Sequence, residues 1–210
     1  IISRGYFYKK NKKSNLVYFT KEIFTLPNIF LFSLMNRYII QILNTLYFNF
    51  SRLGKNLTSI NDFFYPLDKI KNWNYVYGKK GFISYQCSVP FNNAYESIHE
   101  ILITLKRYKA YSFVSVLKSM KKKDFPLSFG QKGFTLVFDF PIYKDIKMIL
   151  NKINDIVLRY NGKIYLAKDS FIEKAKFKDL NSEFYNHEFT KLRKKSNYFF
   201  NSLQSKRLGL

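Results

Sequence analysis

Cysteine and histidine are nearly missing from this chain. The one cysteine, Cys87, excludes an intrachain disulfide and a cysteine-cluster metal site, and two histidines, His99 and His187, are too few for a histidine-rich metal centre. Phosphate-cradling motifs are absent as well: there is no G-x-x-x-x-G-K-[ST] loop and no G-x-G-x-x-G turn, and neither H-E-x-x-H nor G-x-S-x-G occurs. A nucleotide cofactor, if used, is therefore not held by a Gly-rich nest of this chain. Long apolar runs are lacking too. The most apolar region, Ile29 to Phe50, is broken by Asn36-Arg37, Gln41 and Asn44, so it reads as a buried helical segment rather than the roughly 20 apolar residues a membrane span requires. No secretory signal is recognisable at the start.

Acidic residues are scarce: 14 Asp and Glu stand against 36 Lys and Arg, a formal net charge of +22. Such an excess suggests a polyanionic partner, whether nucleic acid, an anionic membrane or a phosphorylated ligand. The lysines, however, are spread along the chain in company with many Asn, Ile, Phe and Tyr, with only short clusters at Lys9–Lys13, Lys121–Lys123 and Lys191–Lys195. That spread reads as chain-wide compositional bias, with no specific nucleic-acid surface. A basic nucleic-acid-binding or ribosomal-type protein is the rival reading. Aromatic and basic residues together suit a lipid interface, which leaves peripheral membrane contact open beside a cytoplasmic location.

With 47% hydrophobic residues in 210, the chain can bury the core of one generous domain or of a domain with a subdomain. Residue 1 is Ile rather than Met, which carries the expectation that an N-terminal domain is missing. Three sections are expected: a helical and irregular segment over 1–80, a sheet domain over 81–170, and a helical tail over 171–210. Within the first, Asn28 to Phe50 is mostly helical in pattern, and Ser51 to Gly78 is a turn-rich connector packed by aromatics such as Trp73 and Tyr77.

From Gly81 the pattern sharpens. Phe82–Val89 alternates as a strand closed by Pro90. Asn92 or Asn93 can cap a helix whose apolar stripe is Ala94, Ile98, Ile101, Leu102 and Leu105. Strands follow at Tyr111–Leu117 and Phe134–Phe138. A second helix runs over Tyr143–Tyr160, with Ile146, Ile149, Leu150, Ile153 and Val157 on one face, and Asn161-Gly162 gives its left-handed exit. A last strand, Lys163–Ala167, completes β-α-β-β-α-β. The fold class is therefore α+β: a ferredoxin-like, split βαβ antiparallel sheet with helices on one face. The tail, Phe171 to Leu210, reads as helical pieces interrupted at Asn181 and Asn197.

Polar side chains inside the strands are the candidates for chemistry: Gln86, Lys118, Thr135, Tyr165 and Lys168. A lysine at a strand end is more often a solvated charge. Polar residues on adjacent strands of one sheet can nevertheless converge on a single site. His99, beside Glu100 on a helix, reads as a surface residue, His187 has no partner at catalytic spacing, and Cys87 reads as a small strand residue of the core.

Several segments in order carry a resemblance. They are Thr25-Leu-Pro-Asn-Ile-Phe30, Tyr65-Pro-Leu-Asp68, Trp73-Asn74, Tyr77-Gly78, Gly81-Phe82 with Tyr85-Gln86, and Tyr111-Ser112-Phe113. Pro126-Leu-Ser-Phe129, Asp139-Phe-Pro-Ile142, Tyr165-Leu-Ala-Lys-Asp-Ser170 and Arg207-Leu208 follow. Together they resemble the C-terminal substrate domain of the vanillyl-alcohol-oxidase-type FAD-linked oxidases, in the branch that oxidises sugars and aldonolactones. The resemblance implies FAD held mainly by a domain absent from this chain, a partner FAD-binding domain, and a lipid-linked sugar substrate oxidised at a hydroxyl, the 2-hydroxyl of a polyprenyl-phosphate-linked pentose. It also implies roles. Lys168 and Tyr165 stand where the family has its catalytic lysine and tyrosine beside flavin and substrate. Gln86 and Lys118 match a pocket glutamine and lysine, and Thr135 stands at a substrate-binding position. The chain departs from the family at three pocket positions: Val137 replaces a cysteine, Thr135 an asparagine and Met120 an aromatic, which puts the identity of the sugar in question.

Overall fold

A computed structural model describes residues 23–29, 33–51, 59–122, 128–181 and 188–210. Lys9–Lys13, Pro126 and His187 lie outside the described residues. The chain divides into two compact units, Ile1–Gly81 and Phe82–Leu210.

In the first unit a two-residue strand, β1 (Phe24–Thr25), pairs in parallel with β2 (Ile70–Lys71). Between them in sequence lie helices α1 (Arg37–Ser51) and α2 (Ile60–Phe64) and a 3-10 turn, Pro66–Lys69; a second such turn, Trp73–Tyr77, follows. The helical pattern expected from Asn28 begins only at Arg37. Asn36 accounts for the late start, because its Oδ1 accepts the free amides of Tyr38 and Ile39 at 3.0 and 3.1 Å and caps the helix there. Nor is α1 the buried segment the sequence suggested, since Tyr38, Ile42, Leu43, Leu46, Tyr47 and Phe48 are exposed. At 100° per residue all but Phe48 fall on one half of the helix, so α1 is amphipathic yet its apolar face stays exposed. Trp73 meets Tyr77 edge to face at 6.2 Å, and Tyr77 is buried, as the aromatic packing of the connector predicted. Among the described residues no helix is long and apolar enough to cross a membrane.

The second unit is α+β. Strand β3 (Phe82–Pro90) leads through a 3-10 turn to α3 (Ala94–Arg107), then β4 (Val114–Met120), β5 (Gly133–Pro141), α4 (Ile146–Arg159) and β6 (Lys163–Ile164). The sheet order is β4-β5-β3-β6, and every neighbouring pair is antiparallel. The central pair, β3 with β5, runs over nine rungs from Phe82↔Pro141 to Pro90↔Gly133. Strict alternation along both strands sends Ile83, Tyr85, Cys87 and Val89, and Leu136, Phe138 and Phe140, to one face. That face packs on Ile101 and Leu105 of α3 and on Ile146, Ile149, Leu150, Ile153 and Val157 of α4. Each such side chain contributes roughly 1.5–3 kcal/mol when fully buried. Leu102, expected on the α3 stripe, is exposed; it lies one residue past Ile101, and the small Ser97 fills the buried row instead.

Strand limits shift for identifiable reasons. β4 starts at Val114 because the Ser112 hydroxyl serves the adjacent backbone, accepting from the Asp139 amide at 2.9 Å and lying 3.1 Å from the Asp139 carbonyl. The last strand stops at Ile164, short of the expected Ala167, and Leu166–Lys168 folds into a 3-10 turn. At the exit of α4, Asn161 takes φ +54. A Cβ on Gly162 would sit 2.5 Å from the Ser88 carbonyl and 2.7 Å from Val157 Cγ1, so only glycine lets helix and sheet approach there.

The tail forms α5 (Lys174–Leu180), α6 (Glu188–Lys195) and α7 (Leu203–Leu208), with breaks at Asn181 and Asn197 as the sequence indicates. Phe177, Leu180 and Leu208 enter the same core as the sheet. Polar contacts fix α7 against the turn after β6. The Asp169 side chain is 2% exposed; its Oδ2 pairs with Arg207 Nη2 at 2.7 Å, and its Oδ1 accepts the amides of Phe171 and Ile172 at 3.2 and 2.9 Å. Gln204 Nε2 donates to the carbonyls of Leu166 and Asp169 at 2.6 and 3.2 Å.

Two outcomes follow from this packing. Arg207→Ala leaves the Asp169 carboxylate buried without its cation and is expected to lower unfolding stability by about 2–3 kcal/mol, read from denaturant midpoints. Burial pushes the Cys87 thiol up to about 12, so it should resist a thiol reagent in the native protein at pH 8 and react at once in guanidinium; rapid labelling of the folded chain would contradict its place in the core.

Candidate active site

Helices α3 and α4 pack on the first face of the sheet, and the second face carries a different set of side chains. Because directly opposed residues share a face, the register alone assembles a polar surface across three strands. On β3 it holds Ser84, Gln86 and Ser88; on β5, Thr135, Val137 and Asp139; on β4, Val114, Val116, Lys118 and Met120. Lys118 stands opposite Thr135, Thr135 opposite Ser88, and Gln86 opposite Val137. The Val137 and Met120 replacements therefore lie on this same face.

Gln86 and Thr135 are bonded to each other. Gln86 Nε2 donates to Thr135 Oγ1 at 3.2 Å, and Thr135 Oγ1 donates to the Cys87 carbonyl at 2.8 Å. Thr135 is 2% exposed, whereas Gln86 is half-buried and Lys118, on the edge strand, is exposed. On the other side of β3, Ser88 pairs with Lys163, and the Tyr165 amide donates to the Gln86 carbonyl at 2.9 Å, which sets Tyr165 beside Gln86. The Tyr165 ring packs against Phe129 at 4.9 Å. Ser128 and Phe129 are tied to this end of the sheet, since Lys163 Nζ donates to the Ser128 carbonyl at 3.1 Å and Ser88 Oγ lies 3.4 Å from the Phe129 carbonyl.

Lys168 sits differently from the expectation. It is on the 3-10 turn rather than on a strand, with its amide bonded to the Tyr165 carbonyl at 3.0 Å. The reason is Asp169. Its buried carboxylate draws the amides of Phe171 and Ile172 and the Arg207 guanidinium around it, and that geometry bends the chain away from an extended path. The turn is thus held from both sides, by the β3 ladder through Tyr165 and by α7 through Gln204 and Arg207. The Lys168 side chain is half-buried, and among the described residues no hydrogen bond or ion pair takes up its ammonium.

One polar pair on this face has no role in the sequence reading. Ser84 Oγ donates to the Asp139 carboxylate, which is only 7% exposed. The signal was present in the alternation that places Asp139 two residues beyond Val137, but an aspartate near a strand end is commonly a turn residue. Asn154, wholly buried in α4, was also missed; it accepts the Tyr85 hydroxyl at 2.8 Å on the helix side and serves packing. Desolvation raises the Tyr85 phenol well above its usual range, so it stays neutral. His99 is exposed and stacks on Tyr95 at 5.8 Å. Among the described residues no group of His, Cys, Asp and Glu could hold a metal ion.

No protein-family model matches the chain. Among curated proteins it is similar to decaprenylphosphoryl-β-D-ribose oxidase of Mycolicibacterium smegmatis, with 33% identity over 177 residues. The match takes in 80% of this chain but only 38% of that protein's length. The resemblance carried by the ordered motifs thus extends across most of the sequence: the chain is a relative, over part of that protein's length, of a decaprenylphosphoryl-ribose oxidase.

Proposed function

We propose that this chain is the C-terminal, substrate-binding portion of an FAD-dependent oxidoreductase that oxidises a sugar CH–OH group. The finer reading is the 2-hydroxyl of a pentose linked to a polyprenyl phosphate. The observation that carries the proposal is that Gln86, Thr135, Lys118 and Tyr165, the residues singled out by the family resemblance, share the second face of the sheet. The 33% identity to a ribose oxidase supports the reaction class.

The donor set on this face suits a flavin's reactive edge and a sugar better than a whole dinucleotide. Lys168 offers an unpaired ammonium on a rigid turn, while no Gly-rich loop offers amides to a pyrophosphate. Lys168 and Tyr165 would therefore lie at the flavin, and its phosphates would be held by a domain outside this chain. FAD, when bound, supplies the acceptor for the two electrons that leave the alcohol carbon. Lys168 would place a positive charge where negative charge gathers during the reaction, carried on a backbone that the turn holds in place. Gln86 and Tyr165 hydrogen-bond sugar hydroxyls and orient the reacting carbon. Lys118 stands on the edge strand, separated from Gln86 by β5, where its long side chain can meet an anionic group of a substrate held at Gln86. A lipid-linked substrate would be met at a membrane surface, with the protein peripheral to it.

Two measurements test the assignment. The purified chain alone should be inactive and colourless; a yellow preparation showing an oxidised-flavin absorbance band would mean that the cofactor is held here after all. In the enzyme completed by its FAD-binding domain, Lys168→Met should slow the limiting rate of anaerobic flavin reduction by on the order of 10²–10³ with little change in sugar affinity. Gln86→Leu should act in the opposite sense, weakening apparent sugar affinity by about tenfold through one lost hydrogen bond. An unchanged limiting rate in Lys168→Met would reduce that lysine to a binding group.

A further inference from the structure

Thr135 has one hydroxyl proton and two polar neighbours, and only one of them can receive it. The Cys87 carbonyl, at 2.8 Å, is an acceptor and nothing else. The Thr135 proton is therefore committed to Cys87, and toward Gln86 the hydroxyl presents only a lone pair. The end of the Gln86 amide lying 3.2 Å away must then be its NH2 group. If the amide were flipped, two oxygens would face each other with no proton between them. Burial reinforces the assignment, because Thr135 is 2% exposed and water has little access to relieve such a clash.

We propose that Thr135 is a positioning residue that locks the Gln86 amide with its carbonyl oxygen turned away from Thr135, so that Gln86 presents an acceptor to a hydroxyl donor on the second face of the sheet. This rests on the sugar-oxidoreductase reading and goes beyond it by assigning the polarity of one contact. Backbone carbonyl, threonine hydroxyl and glutamine amide form a relay in which each member dictates the sense of the next. The backbone of Gln86 is held as well, by the Tyr165 amide at 2.9 Å, so the side chain starts from a fixed base. Anions are then left to Lys118, which faces Thr135 from the edge strand. A ligand that places a hydroxyl at Gln86 and a phosphate at Lys118 satisfies both groups. Reversing it would put oxygen against oxygen.

Side-chain amide NMR of the full chain tests this, with D-ribose and inorganic phosphate as probes. In the unliganded protein the Gln86 NH2 resonances should show one proton hydrogen-bonded and slowed in exchange. Thr135→Val should abolish that signature and Thr135→Ser restore it, whereas a threonine with a purely packing role would be better replaced by the isosteric valine. Addition of D-ribose should shift the Gln86 resonances in the wild type. Phosphate should shift Lys118 while leaving Gln86 unmoved, and should reach Gln86 only in Thr135→Val, where the amide is free to turn. Unchanged Gln86 resonances in Thr135→Val, or a Gln86 shift with phosphate in the wild type, would overturn the lock. Absence of any ribose effect with the lock intact would count against the sugar reading alone.

Discussion

The ladder between β3 and β5 is the constraint on which the second unit depends. Its nine rungs bind the two longest strands at the centre of the sheet, and the pleat leaves no freedom once one face is chosen. Ile83, Tyr85, Cys87 and Val89 belong against the helices by the hydrophobic effect, so Ser84, Gln86 and Ser88 must turn the other way. A slip of one residue would bury Gln86 and expose Tyr85, a change far too costly to be populated. The polar face is in this sense a by-product of the core. Gly133 marks the end of the ladder, where a Cβ would run into the Val89 carbonyl.

Against this rigid sheet the turn bearing Lys168 could have been loose, since β6 contributes only two paired residues. Stiffness is supplied from elsewhere in the sequence. Asp169 gathers an ion pair and two amide bonds, and Gln204 bridges two carbonyls on either side of Lys168. The backbone of Lys168 thus sits between two anchored residues, Tyr165 and Asp169, and owes its position in part to a helix more than thirty residues away in sequence. A second tail anchor works by the same chemistry: buried Arg193 donates to the Phe200 and Leu210 carbonyls and to Asn201.

Much of this was legible in the sequence because it follows from period. The alternation of β3, the stripe of α4 and the left-handed exit at Asn161 are local signals, and each reappears in the structure. Gln86, Thr135 and Lys118 fall on one face for the same reason. What could not be read depends on partners distant in sequence. Nothing around Lys168 says that Asp169 will be buried against Arg207, and so the strand was drawn too long. The exposure of α1 was not legible either, because an apolar helix face does not reveal whether anything packs on it. The pairing of Asp139 with Ser84 was not legible because the two lie 55 residues apart.

The relay through Cys87, Thr135 and Gln86 consists of a carbonyl, a hydroxyl and a primary amide. None of these groups gains or loses a proton in the range where proteins remain folded. The sense of that contact is therefore indifferent to acidity, unlike one built on histidine or a carboxylate. It is equally indifferent to redox conditions, since the cysteine contributes its backbone and keeps its thiol in the core. A contact built this way keeps its sense wherever the chain is folded, and only replacing one of its residues alters it.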